Sequence, residues 1–175
     1  MITKEMVKHI KDTLNSLTQE KNTNFGKNEN AAGAPEKGIL IVLTSSDFSG
    51  ESFTSSNQIL ASSTVIGTEG YVFKNEGTNK TIDVASIPYS ETISVVDNGE
   101  ATGFAIVQVD QSDLVSKKIT GSDPNANLWD KYIINTGSDA NVSNYKVLFS
   151  GELTSHQIIQ KDNSFSLSNI KITFN

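Results

Sequence analysis

Side chains that could serve as nucleophile, general base or metal ligand are few in this 175-residue sequence, and they stand far apart. The two histidines, His9 and His156, fall near opposite ends of the chain, and neither accompanies a Gly-x-Ser-x-Gly elbow that would activate a serine for acyl transfer. Cysteine is absent, which removes thiol catalysis, zinc–thiolate chemistry and disulfide frameworks together. The glycines are dispersed, so no loop of the phosphate-cradling kind opens a helix. Asp123, Asn125, Asn127 and Asp130 alternate oxygen ligands as a calcium loop does. However, Leu128 stands where the turn glycine belongs and Ile134 where a bidentate glutamate belongs, so a solvated Asx-rich loop is the expectation. Rings for a sugar platform would have to come from Trp129, Tyr132, Tyr71, Tyr89 and Tyr145, and a single tryptophan more often packs in a core or an interface. Two glycosylation sequons, Asn79-Lys80-Thr81 and Asn141-Val142-Ser143, are expected to be chance matches in an Asn-rich chain. No catalytic set, cofactor or metal is expected from these residues, and the chain reads as a non-enzyme.

Composition narrows the partners. Fourteen basic against twenty acidic residues give a net charge of −6, with no clustered cationic face to neutralise phosphates, so nucleic acid is not an expected partner. The longest apolar runs, such as 39–43, are far too short to span a bilayer. The first seventeen residues alternate charge with apolar side chains instead of forming a signal core, so neither membrane insertion nor general secretion is expected. The length suits one domain with a core of its own.

The elements follow from periodicity. Met6, Val7, Ile10, Leu14 and Leu17 fall on one stripe of a helix over 1–17, with Thr3 as N-cap and Glu5 in the first turn. Residues 18–37 offer almost nothing to bury and carry Gly26, Gly33 and Pro35, which predicts a flexible polar tether. The stripe therefore has two readings, packing on the domain's own sheet or docking on a partner as an arm. From 38 to 175 the pattern is strand after short strand. Continuous apolar runs at 39–44 and 101–110 predict strands buried on both faces, the second with Phe104, Ile106 and Gln108 on one side and Ala105, Val107 and Val109 on the other. Asp97-Asn98-Gly99 predicts a tight hairpin turn, and a bulge is expected at Gly151. Separate strands are expected at 145–154 and 156–160. The apolar phase slips by one residue near Ser168 and Asn169. Together these predict a mainly β domain: an antiparallel sandwich of Greek-key or jelly-roll type, with an N-terminal amphipathic helix.

The order of landmarks resembles that of small β-rich virion proteins of tailed bacteriophages. The resemblance rests on the N-terminal helix; on Ile39-Leu40-Ile41-Val42-Leu43-Thr44-Ser45-Ser46, a strand running into a serine-rich loop; and on Ile59-Leu60-Ala61-Ser62. It continues with Ala101-Thr102-Gly103 opening a central strand and Asn169-Ile170-Lys171-Ile172-Thr173-Phe174 closing the chain. It implies a structural component of the particle, made in the host cytoplasm and incorporated into the virion. A capsid decoration or cement protein binding across major capsid subunits is the expected role, as a homo-oligomer. A head-to-tail connector or tail component, or a carbohydrate-binding adhesin module, are the alternatives. The expected partner-binding residues are Met6, Val7, Ile10, Leu14 and Leu17 of the arm, together with Trp129.

Overall fold

The computed structural model describes residues 2–21, 37–63, 72–74, 80–86, 92–117, 131–161, 165–166 and 170–174. Within them the chain is mainly β, with antiparallel sheets and one α-helix. The organising strand is β1, Lys37–Thr44, whose run of β-branched and leucine residues favours the pleated backbone and leaves no polar face for solvent. Residues 39–44 are all buried, and β1 lies between β2 (Ile59–Ser62) and β6 (Gly99–Asp110). Its register on β6 runs unbroken from Lys37 opposite Asp110 to Thr44 opposite Gly103. Beyond β2 lie β5 (Thr92–Val95) and β10 (Phe165–Ser166), and beyond β6 lies β9 (Lys146–Ile159). The six-stranded order is β10-β5-β2-β1-β6-β9.

Two covers follow from a strand that is apolar on both sides. On one face Leu40 and Val42 of β1 and Ala105, Val107 and Val109 of β6 pack with Leu114 of β7 (Leu114–Lys117), Ile134 of β8 (Lys131–Ile134), Phe53 and Tyr145. On the other, Ile39, Ile41 and Ile106 meet Ile82 of β4 (Thr81–Ser86), Ile172 of β11 (Ile170–Thr173), Phe174 and the helix α1 (Lys4–Lys21). β4 is the middle strand of a three-stranded sheet, with β11 on one side and β3 (Val72–Lys74) on the other.

The Thr3 hydroxyl caps α1, accepting from the Met6 backbone N–H at 3.2 Å, and Glu5 lies in the first turn. The helix is folded against its own domain. Val7 and Leu14 are 0% and 3% exposed, Ile10 is half-buried against the same cluster, and Met6 points outward. In this arrangement Val7 and Leu14 pack in cis and can reach a partner only if the helix leaves the sheet. The last turn of α1 takes in 18–21, the start of the predicted tether, and Lys37 at its end already belongs to β1; residues 22–36 lie outside the described residues.

Two connections differ from the sequence pattern, and a third divides the C-terminus between two sheets. Asp97-Asn98-Gly99 does not close a hairpin: β5 pairs with β2 and β10, whereas β6 pairs with β1 and β9. Asn98 instead accepts from the Lys161 N–H at 2.8 Å through its side-chain oxygen, and a Cβ on Gly99 would come within 3.0 Å of the Leu60 side chain. The segments 145–154 and 156–160 join into the single strand β9. The phase slip near the C-terminus separates β10, which pairs with β5, from β11, which pairs with β4 in the other sheet; Ser168 and Asn169 lie outside the described residues.

Leu14→Ala should cost about 3 kcal/mol in urea denaturation, the usual range for a leucine deleted from a packed core, whereas Met6→Ala should stay within about 0.5 kcal/mol. Tyr145 gives a second expectation. It is 2% exposed and its hydroxyl donates to the Asn135 carbonyl. Burial, then the Asp113 and Asp139 carboxylates, push its pKa up to about 12. An acid with a raised folded-state pKa binds its proton more tightly folded than unfolded. Its contribution is therefore complete below pH ~10, the ordinary tyrosine value, and is lost as pH climbs from there towards 12. Tyr145→Phe should lower stability at pH 7 by about 1 kcal/mol and flatten the decline above pH ~10.

Candidate functional site

The pairing of β6 with β9 breaks where a cleft opens. Gly103 stands opposite Glu152, but Ala101 stands opposite Gln157, so residues 153–156 of β9 face Thr102 alone. Such a bulge bends a strand and re-aims its side chains. A second irregularity, with Ile106 opposite Phe149 and Val107 opposite Val147, leaves Leu148 extra; both Leu148 and Phe149 pack towards the helix-side cluster. Around the larger bulge, the loop after β1, the Gly103 and Gly151 backbones and the side chains of Glu152 and His156 surround a cleft of about 470 Å³.

Two glycines are required by close approach. A Cβ on Gly103 would lie 2.9 Å from both the Gly151 carbonyl oxygen and the Thr44 hydroxyl, and one on Gly151 would lie 2.9 Å from the Phe104 ring, which crosses over it. Without side chains here the two strands and Phe104 close tightly beneath the cleft. Gly50, at φ +92°, takes a backbone conformation that other residues rarely adopt, and its carbonyl accepts from the Ser150 hydroxyl at 2.7 Å. That bond ties the loop to β9.

The loop is irregular yet heavily constrained, and Gln58 is the reason. Its buried side-chain oxygen accepts from the Thr54 N–H at 2.7 Å and the Ser55 N–H at 3.2 Å, while its Nε2 donates to the Asp47 carbonyl at 2.7 Å. Ser55 completes a capping box on the 3₁₀ turn Ser56–Gln58. Phe48 stacks on the buried Phe53 with ring centroids 4.4 Å apart and planes 16° apart. One ring face of Phe48 is thus covered by protein, and the half-buried ring also lines the cleft.

The cleft is polar. Thr44, Ser45, Ser46, Ser49, Thr102 and Ser150 supply hydroxyls. The Ser45 Oγ is buried without a hydrogen-bond partner, alone among the described side-chain polar atoms. His156 Nδ1 lies 3.2 Å from the Glu100 carboxylate, both groups more than half exposed, so this pair adds little to stability. The arrangement can donate and accept hydrogen bonds to a polar ligand beside an aromatic ring.

Sequence reasoning weighed His156 and expected a bulge at Gly151, but it did not bring the cleft residues together as a site. Of its candidates, Met6 is exposed on α1, Val7 and Leu14 are core, and Ile10 is half-buried; the Leu17 side chain and Trp129 lie outside the described residues. So do Tyr71, Tyr89 and the string from Asp123 to Asp130. His9 stays on the exposed side of α1, on a different element from His156. The signals that could have found the cleft are the serine-rich loop directly after a doubly buried strand and the expected bulge at Gly151. No family model, no curated protein and no solved structure matches this chain.

Replacing the Gln58 amide with a hydrocarbon of similar size, Gln58→Leu, leaves two N–H groups and a carbonyl of the loop without their partner. The expected cost is about 2 kcal/mol in chemical denaturation, with faster amide exchange over 47–55. Gln58→Glu keeps the acceptor but loses the donor to Asp47, and its stability should fall between that of Gln58→Leu and that of the parent protein.

Proposed function

We propose that this chain is a non-enzymatic structural protein of a tailed-phage particle, a decoration or cement protein bridging major capsid subunits, and that its fold is a β-sandwich of Greek-key type bearing an extra helix. The observation that carries this reading is β9. Among the described residues its fourteen residues form the outer strand of the six-stranded sheet, paired on one side with β6, and Ile158 near its end is 70% exposed. A strand bonded on one side offers the backbone groups of its other side to an incoming strand, and flanking apolar side chains set the register of that addition. In this reading the incoming strand belongs to a major capsid subunit at a lattice boundary, and copies of this chain gathered about a symmetry axis give the homo-oligomer. Support also comes from the sequence landmarks, which run from α1 to β11. In this reading α1 helps to build the domain, and the contact surface is the sheet edge.

Quantitative mass spectrometry of purified particles tests the proposal. A decoration protein should be present at on the order of tens to hundreds of copies per particle, whereas about six or twelve would assign it to the connector. Ile158→Asp should lower occupancy while leaving the fold's thermal transition within a few degrees of the parent. Absence of the chain from particles would overturn the assignment, and unchanged occupancy of the Asp variant would overturn the role of the edge.

A further inference from the structure

We infer that the cleft at the β9 bulge binds a neutral saccharide unit, a ligand site separate from the proposed edge contact. Four features carry this. The cleft's volume, about 470 Å³, lies within the range of small-ligand sites, generally about 300–1,000 Å³, and it opens to solvent, so that one residue of a longer glycan can enter. Its lining pairs hydroxyls with one carboxylate, Glu152, and one imidazole, His156, the mixture of acceptors and donors that vicinal sugar hydroxyls need. Phe48, braced from behind by Phe53, offers an apolar ring of the kind on which the C–H face of a pyranose rests. The Ser45 hydroxyl, buried and unpartnered in a residue that lines the same cleft, has its bonding capacity unused.

Charge decides against other ligand classes. Among the described residues no lysine or arginine lines the cleft, and the carboxylate of Glu152, with Glu100 beside His156, makes it repel phosphates, sulfates and sugar acids. A divalent cation would need more hard ligands than Glu152 supplies, and no group of three metal-ligating side chains occurs among the described residues. A neutral polyhydroxylated ring answers both constraints. The rim is also held in place beforehand, by Gln58 across the loop and by Ser150 on the Gly50 carbonyl, so binding requires little ordering of protein.

The test is a titration of the full chain, followed by amide chemical shifts, with the methyl glycosides of glucose, galactose, mannose and N-acetylglucosamine, each up to about 10 mM. Glucuronic acid and the free reducing sugars are run beside them. At least one neutral glycoside should give saturable shifts confined to 44–50, 102–103 and 150–156. Glu152→Gln, an exposed position, should weaken that binding about tenfold with an unchanged melting temperature, and Phe48→Leu should weaken it while keeping an apolar contact on Phe53. Binding of a methyl glycoside marks a chain-linked glycan as the source; binding of free sugars alone marks a soluble one. Preference for glucuronic acid, equal affinity in both variants, or no saturable shift with any neutral sugar would overturn the inference. Each of these outcomes is independent of whether the chain is found in particles.

Discussion

Burial of β1 on both faces is the constraint from which the rest of this structure follows. A strand with six consecutive buried positions, 39–44, cannot stand at the surface of a single sheet. It demands neighbours on both edges and a cover over each face. β2 and β6 satisfy the edges. α1 with β4 and β11 covers one face, and β7, β8 and the loops at Phe53 and Tyr145 cover the other. At roughly 1.5–3 kcal/mol for each large apolar side chain removed from water, this strand and its contacts contribute more than any polar interaction in the molecule. The surface ion pairs, such as Lys171 with Asp83 at 3.7 Å, are minor beside it.

Three of the buried polar side chains, Gln58, Ser62 and Ser63, are consistent with that hierarchy, because they are bonded where the apolar covers meet the sheet. The Ser63 hydroxyl accepts from the Ile41 N–H at 2.9 Å, one position beyond the last pair of β2 with β1, Ser62 opposite Val42. Ser62 donates to the Ser63 carbonyl at 2.8 Å and accepts from the Ile134 N–H, joining β8 to the central sheet. Gln58 does the same for the loop. A hydroxyl or amide in a core is tolerated when its partners are supplied by backbone that would otherwise lack them. Ser45 is the exception, and its position in the wall of the cleft is what gives it meaning.

Much of the architecture was legible in the sequence, and what was not has a physical reason. The apolar runs at 39–44 and 101–110 identify strands because burial on both faces overrides alternation; the division of Ala105, Val107 and Val109 from Phe104 and Ile106 follows from a period of two. The stripe on α1 marks a helix, yet a stripe is equally apolar whether it meets its own sheet or a partner, so the sequence left both readings open. Asn98-Gly99 misleads because a turn signal is local, whereas strand pairing depends on contacts remote in sequence. The cleft was hidden for the same reason: Ser45, Gly103 and Glu152 are brought together by β1, β6 and β9, and nothing local in any one segment announces the other two.

β9 joins structure to both proposed roles. A long, straight outer strand invites indiscriminate pairing, and natural sheets interrupt such edges with bulges and charges. Here the interruption is large, four residues opposite one, and it falls between two pairing segments, 146–152 and 157–159. The bulge breaks the edge into short stretches, so an incoming strand must match a particular register instead of any. The same displacement carries Glu152 and His156 around to the Ser45–Gly50 side of the sheet, over the floor that Gly103 and Gly151 leave bare. One local departure from regular pairing therefore both restrains the edge and creates the cleft, which is why a substitution that restored regular pairing would be expected to alter the two together.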